Sequence, residues 1–259
     1  MRQLKGLLFD VDGTLAETEE LHRQAFNQAF GERGLDWHWD RDLYRELLSV
    51  TGGKERIRHY LERFHPEVLQ DPVIDHLIRE LHARKTAIYT ERAARGDLPL
   101  REGVARLLEE ARREGLRLGI ATTTTRANVE ALLEANLGAA GRDLFEVIAA
   151  ADSAPVKKPA PDVYLHALEA MGLSPAETLA IEDSVNGLRA AHAAGLPVLV
   201  TVSDYTRGQD FSSAELVVDS LGEPGRPVRV LSGQAQEVDL IDVPFLREWF
   251  ARLPERGAA

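Results

Sequence analysis

From Gly103 onward the sequence alternates amphipathic helical stretches with short apolar runs, and few architectures accept such a pattern. The periodicity predicts helices over Gly103 to Gly115, Arg126 to Ala135, Val163 to Met171 and Ser184 to Ala194. Between and after them fall strands at Leu116 to Thr122, Phe145 to Ala149, Thr178 to Glu182 and Leu196 to Val202. Strands joined through helices pair in parallel, with right-handed crossovers that cover both faces. The expected class is therefore α/β, a doubly wound, mostly parallel, Rossmann-like sheet. An earlier apolar run, Leu4 and Leu7 to Phe9, supplies a strand at the very start. Beyond Val202, Glu223 to Gln236 is rich in Gly, Pro and Arg and reads as loop. Val238 to Val243 reads as a late edge strand and Pro244 to Leu253 as a terminal helix.

In such a sheet, chemistry collects on the loops beyond the carboxyl ends of the strands. The first strand runs into Asp10-Val11-Asp12-Gly13-Thr14, two carboxylates on alternate residues before a glycine turn. A period of two aims both acids to one side, where they repel unless a cation or hydrogen-bond donors balance them. The same residues also suit an Asp-rich turn. Later strand ends decide between these readings. Leu116 to Thr122 opens into Thr122-Thr123-Thr124-Thr125, hydroxyls at a helix start that suit an anionic oxygen, where capping accounts for only one of them. Lys157-Lys158 precedes Pro159, and Thr178 to Glu182 delivers Glu182 and Asp183 to the same rim. Four carboxylates, hydroxyls and a lysine converge there, a donor set that suits a hard divalent cation.

Between Glu17 and about Gly96 the pattern is helical throughout. Leu21, Ala25, Phe26, Ala29 and Phe30 mark a first helix, Arg41 to Leu48 a second and Glu55 to Phe64 a third. Asp71-Pro72 reads as the N-cap and first-turn proline of a long fourth helix. This block reads as an insertion, an all-helical domain over 17–96 within a core of 1–16 and 97–259. Tyr44, Trp37 and Trp39 are expected in its core or on its surface.

With 259 residues and 44% hydrophobic content, the chain can bury a substantial core. A net charge of −11 argues against nucleic-acid binding, while a local site can still oppose the global sign and hold an anion. The absence of cysteine excludes thiolate catalysis and Cys-type zinc sites. No apolar stretch reaches membrane-spanning length, and the N-terminus enters a strand without a signal-peptide pattern. A soluble, cytoplasmic, monomeric enzyme or binding protein is expected, with no nucleic-acid or membrane partner.

Asp10-Val-Asp12-Gly-Thr, the strand-end Thr122, Lys158-Pro159 and Glu182-Asp183 together resemble, in order, the four motifs of the haloacid dehalogenase-like hydrolase superfamily. The helical block resembles that family's cap. Ala121-Thr-Thr-Thr-Thr-Arg126, Lys157-Lys-Pro-Ala-Pro-Asp-Val-Tyr164 and Lys85-Thr-Ala-Ile-Tyr89 are similar to the β-phosphoglucomutase and CbbY group, and to the CbbY side of it. That resemblance implies a Mg2+-dependent phosphatase for a small sugar bisphosphate. It implies xylulose-1,5-bisphosphate, an inhibitory by-product of Rubisco in the Calvin cycle.

The resemblance also implies roles. Asp10 would be the nucleophile that becomes an aspartyl-phosphate, and Asp12 the general acid and base. Mg2+ would be held by Asp10, the Asp12 backbone carbonyl and Asp183, with Glu182 beside it. Thr122, Thr123 and Lys158 would bind phosphoryl oxygens. Gly52, Gly53, Lys54 and Lys85 would receive the phosphate that is not transferred, and Glu17, His22 and Arg126 would contact the sugar. For His22 an ordinary, partly exposed helix histidine is an equal expectation. A sugar phosphomutase shares nearly all of these residues, and a non-catalytic sugar-phosphate sensor remains a reading from a different class. Thr14 and the CbbY-like segments favour hydrolysis.

Overall fold

The structure is a computed structural model that describes residues 2–50, 52–233 and 238–254. Contacts divide the chain into two compact units, Met1–Glu17 with Leu98–Ala259, and Thr18–Asp97. The first strand, β1 (Gly6–Phe9), belongs to the larger unit and is buried at every residue. An uninterrupted apolar run is what a strand covered on both faces requires, because no side chain of it meets water.

The smaller unit consists of α1 (Thr18–Glu32), α2 (Arg41–Leu47), α3 (Gly53–Phe64) and α4 (Ile74–Ala94). Its centre is aromatic. Trp39 is wholly buried, with ring centroids 4.6 Å from Phe26, 5.0 Å from Phe30 and 5.9 Å from Tyr44. Trp37 and Tyr44 are buried as well, so all three rings serve the core. Asp71 does not cap α4. The helix starts at Ile74 with Val73 at its cap, and the Asp71 carboxylate instead accepts from the Val73 N–H at 3.0 Å after a short 3-10 turn. An Asx turn of this kind satisfies the same N–H that a longer helix would have used.

The larger unit continues with α5 (Val104–Arg113), β2 (Arg117–Ala121), α6 (Arg126–Leu137), β3 (Val147–Ala149), α7 (Asp162–Met171), β4 (Thr178–Glu182), α8 (Val185–Ala193) and β5 (Val198–Thr201). It ends with β6 (Leu216–Val218), β7 (Val230–Gly233) and α9 (Val243–Arg252). The sheet order is β3-β2-β1-β4-β5-β6-β7, parallel except for β7, which runs antiparallel to β6. The α/β class and the mostly parallel sheet follow the alternation in the sequence, with β1 central and paired on both sides in register at Leu8↔Gly119 and Leu8↔Ala180.

The late part of the sheet departs from expectation. β7 forms inside the stretch read as loop, whose residues 234–236 lie outside the described ones, and Val238 to Val243 forms no strand. That segment instead lends single backbone bonds to the loop before it, Val228 N–H to the Asp239 carbonyl and Ile241 N–H to that of Leu221, before turning into α9. β6 is three residues long and β7 is an exposed edge, so neither carries the apolar period that marks a strand. Among the described residues no helix is long and apolar enough to cross a membrane.

The N-cap of α9 is Asp242, whose carboxylate accepts from the Phe245 N–H at 2.8 Å. The helix seats Trp249 and Phe250 in the core. Replacing Asp242 with Ala should cost about 1 kcal/mol by orphaning that donor. The loss should be read as a lower urea midpoint with an unchanged slope.

Candidate active site

The site is assembled at the carboxyl ends of β1, β2 and β4. Asp10 extends the β1 ladder by one bond, its N–H donating to the Ile181 carbonyl at 3.0 Å, and Thr122 extends β2 in the same way to Ala149 at 2.9 Å. Beyond Asp10 the chain turns at once, with the Gly13 N–H bonded to the Ala16 carbonyl and the Leu15 N–H to that of Val11. Gly13 has a φ of 79° and lies against Asp183, whose carboxylate would sit 2.0 Å from a Cβ built there. Only glycine meets both demands.

Lys158 is the hub. Its ammonium is 6% exposed and donates to Asp10 Oδ1 at 2.8 Å, to the Ala121 carbonyl at 2.8 Å and to Glu182 Oε1 at 2.6 Å. Burial opposes its charge, but the Asp10 and Glu182 carboxylates outweigh that and hold its pKa above the ordinary lysine value. Lys157 beside it is exposed. Glu182 is wholly buried and receives further donors: the Tyr164 hydroxyl on Oε1 at 2.6 Å, and on Oε2 the Asp183 N–H at 3.2 Å and the Ser184 hydroxyl at 3.4 Å. It rests on the first turn of α8, where a Cβ at Gly187 would lie 1.9 Å from its carboxyl carbon. The positive end of that helix favours a carboxylate there.

Asp10, Glu182 and Asp183 each offer a carboxylate oxygen, and these oxygens lie within 4.8 Å of one another in buried surroundings. Three buried acids face one buried ammonium, so negative charge is in excess. The imbalance shows most at Asp183, whose pKa is pushed well above the carboxylate range by burial and then by Asp10 and Glu182. A hydrogen bond from Ser203 and the charge of Arg101 act in the opposite sense. Asp10 is also raised, by burial first and with Asp12 adding to it, while Lys158 opposes the shift. Clustered oxygen donors with unbalanced charge fit a hard divalent cation, which would favour the ionised form of all three acids.

The remaining expected residues are placed as follows. Asp12 is half-buried in the turn after Asp10. Thr122 is buried at the end of β2 and Thr123 is half-buried. Thr125 is the cap of α6, accepting from the Asn128 N–H at 3.3 Å. Arg126 donates to the Ile148 carbonyl at 2.6 Å, and Glu17 pairs with Arg101 at 3.2 Å. In the helical unit His22 is buried and stacked on Tyr89 at 4.0 Å, so it is no ordinary surface histidine. Burial, then Lys85, pushes its pKa well below the usual value. Lys85 is 8% exposed, with its ammonium 4.9 Å from the Phe26 ring centroid and 5.5 Å from that of Tyr89. Gly53, at the start of α3, packs against the His82 imidazole and the same Phe26 ring. Lys54 is exposed and lines an open groove of mixed charge with Arg58, Arg79, Glu55, Glu62 and Asp75. Gly52 has a φ of 102°, and Thr51, expected in the same turn, lies outside the described residues.

Three residues of the core site carried no sequence signal that was read. Ser203 lies just past β5 on the same rim as Thr122, and the rule that singled out Thr122 applies to it equally. Tyr164 closes the Lys157-to-Tyr164 segment that resembles the CbbY group, but the resemblance assigns it no role. Arg101 is a single basic residue after the second crossing between the units. Its guanidinium is bonded to the carbonyls of Gly13, Thr201, Val202 and Asp219, which ties the Asp12 turn to the ends of β5 and β6.

With this geometry in hand, the comparisons with known proteins are direct. A family model for haloacid dehalogenase-like hydrolases matches residues 4–195. Protein CbbY of a Cupriavidus necator plasmid is 51% identical over 95% of this chain and 96% of its own length, and CbbY of Rhodobacter capsulatus is 55% identical over 85% and 94%. A crystal structure of the D10N mutant of CbbY from Rhodobacter sphaeroides, in complex with xylulose-1,5-bisphosphate, matches with a TM-score of 0.75 at 48% identity, covering 84% of this chain and 94% of that one. Sequence, sheet order and the buried lysine and carboxylates at the strand ends thus agree: the chain belongs to the haloacid dehalogenase-like hydrolase family.

Proposed function

We propose that this chain is a Mg2+-dependent sugar-bisphosphate phosphatase that hydrolyses xylulose-1,5-bisphosphate to xylulose-5-phosphate. The observation that carries the reading is its 48% identity, over most of both chains, to a CbbY structure holding that bisphosphate. The buried Lys158 and the three acids around it support the same reading chemically.

In this reading a carboxylate oxygen of Asp10 attacks phosphorus as the bond to the sugar oxygen breaks, and Asp12 delivers a proton to that oxygen. Water then attacks the aspartyl-phosphate, Asp12 takes its proton, and phosphate leaves with Asp10 regenerated. Thr122, Thr123 and Lys158 bind the phosphoryl oxygens, where fixed donors offset the charge of the transition state. Asp10, the Asp12 carbonyl, Asp183 and Glu182 are the residues that would hold Mg2+. The metal supplies positive charge that lets an anionic nucleophile meet an anionic ester. Lys85, desolvated between two aromatic rings, and the turn of Gly52, Gly53 and Lys54 serve the second phosphate, while Glu17, His22 and Arg126 are the candidates for sugar contacts.

Asp10→Asn should abolish phosphate release while the circular dichroism spectrum stays unchanged, because it removes the nucleophile with almost no change in volume. Isomer interconversion on a sugar bisphosphate, in place of phosphate release by the unaltered chain, would turn the reading toward a mutase.

Chelator should stop turnover and added Mg2+ should restore it. In Asp183→Ala, titration of activity against Mg2+ should show half-saturation displaced upward by about 10-fold or more, since an oxygen donor is gone. Full activity in chelator would defeat the metal assignment.

Lys85→Ala should lower kcat/KM for the bisphosphate by about 10- to 100-fold, the worth of a charge-assisted contact in a desolvated place, and leave an aryl phosphate nearly unaffected. Lys54, being exposed, should matter less on the same comparison. Equal losses on both esters would mean that Lys85 supports the helical unit's structure instead.

A further inference from the structure

An ammonium has three N–H donors, and those of Lys158 are all engaged, by Asp10, the Ala121 carbonyl and Glu182. Donation to a phosphoryl oxygen therefore requires that one of these bonds be released. Whatever is released stays behind in a buried place, where an unsatisfied carboxylate or carbonyl is costly. Glu182 is the acceptor best prepared for that loss. Its Oε2 keeps the Asp183 N–H and the Ser184 hydroxyl, and its Oε1, the oxygen shared with Lys158, keeps the Tyr164 hydroxyl at 2.6 Å.

We propose that Tyr164 is a positioning residue: its hydroxyl holds Glu182 Oε1 while Lys158 transfers one N–H from that oxygen to a phosphoryl oxygen of the substrate. The inference rests on the phosphoryl-binding role proposed for Lys158. Tyr164 lies on α7, just past the loop that carries Lys158, and its side chain is wholly buried against the same core as Leu188 and Ala190. A ring fixed in this way does not follow the ammonium, so its hydroxyl remains with Glu182. Phenylalanine at 164 would preserve the ring, which lies 4.9 Å from the Lys158 ammonium, and remove only the donor.

The test compares the unaltered chain with Tyr164→Phe and Lys158→Met, all with Mg2+ present. Inorganic phosphate binding is measured by calorimetry, KM and kcat on xylulose-1,5-bisphosphate by phosphate release, and Mg2+ half-saturation and the thermal midpoint alongside. Tyr164→Phe should bind inorganic phosphate about 5- to 30-fold more weakly and raise KM by a similar factor, with kcat and Mg2+ half-saturation within about threefold of the unaltered chain. Phosphate binding unchanged in Tyr164→Phe but lost in Lys158→Met would overturn this proposal and leave the role of Lys158 standing. Unchanged phosphate binding and turnover in Lys158→Met would instead overturn that role, and the proposal with it. Parallel losses of phosphate, metal and kcat in Tyr164→Phe, with a lowered thermal midpoint, would reduce Tyr164 to a packing residue and refute its positioning role.

Discussion

One buried ammonium organises the carboxyl ends of the central strands. Lys158 is drawn into the interior by carboxylates that could not themselves be buried without it, and each side of that bargain is unstable alone. The consequence for the fold is that the ends of β1, β2 and β4 and the loop before α7 are pinned to one point. The consequence for chemistry is that charge compensation is left incomplete. A single cation among three acids is a site waiting for a second source of positive charge, and that is what a metal-assisted phosphoryl transfer calls for.

The sheet makes this arrangement inexpensive. Because β1, β2 and β4 are parallel neighbours, residues separated by more than a hundred positions arrive at the same rim without any long side chain having to reach. The strands are bound on both faces by apolar packing, so their ends are rigid, and Asp10, Thr122 and Asp183 each sit one residue beyond them. Arg101 adds a brace on the other side of the Asp12 turn, collecting carbonyls that the short loops leave without partners.

Much of this was legible in the residues because two strong periodicities carry it. Alternating helices and apolar runs gave the parallel sheet, and acids or hydroxyls directly after those runs marked the rim. What was not legible depends on distance in space. Nothing local distinguishes Tyr164 from a core tyrosine until Glu182 is seen against its hydroxyl. Nothing marks Arg101 until four carbonyls are seen around it. Local chemistry also overran the sequence pattern in places: the Thr run divides into a buried strand-end residue and a helix cap, and Asp71 turns the chain without capping the helix. β6 and β7 escape the pattern because no helix separates them from β5 or from each other, and β7 is an exposed edge without an apolar run.

The glycines at 13 and 187 have a further meaning. Each presses its bare backbone against a carboxylate, Asp183 in one case and Glu182 in the other, so the acids are walled in where a single methyl group would dislodge them. These walls do not admit growth: any addition at Gly13 or Gly187 must expel an acid before it can be accommodated. New chemistry in this scaffold must therefore come from elsewhere than the two glycine walls that hold the acids.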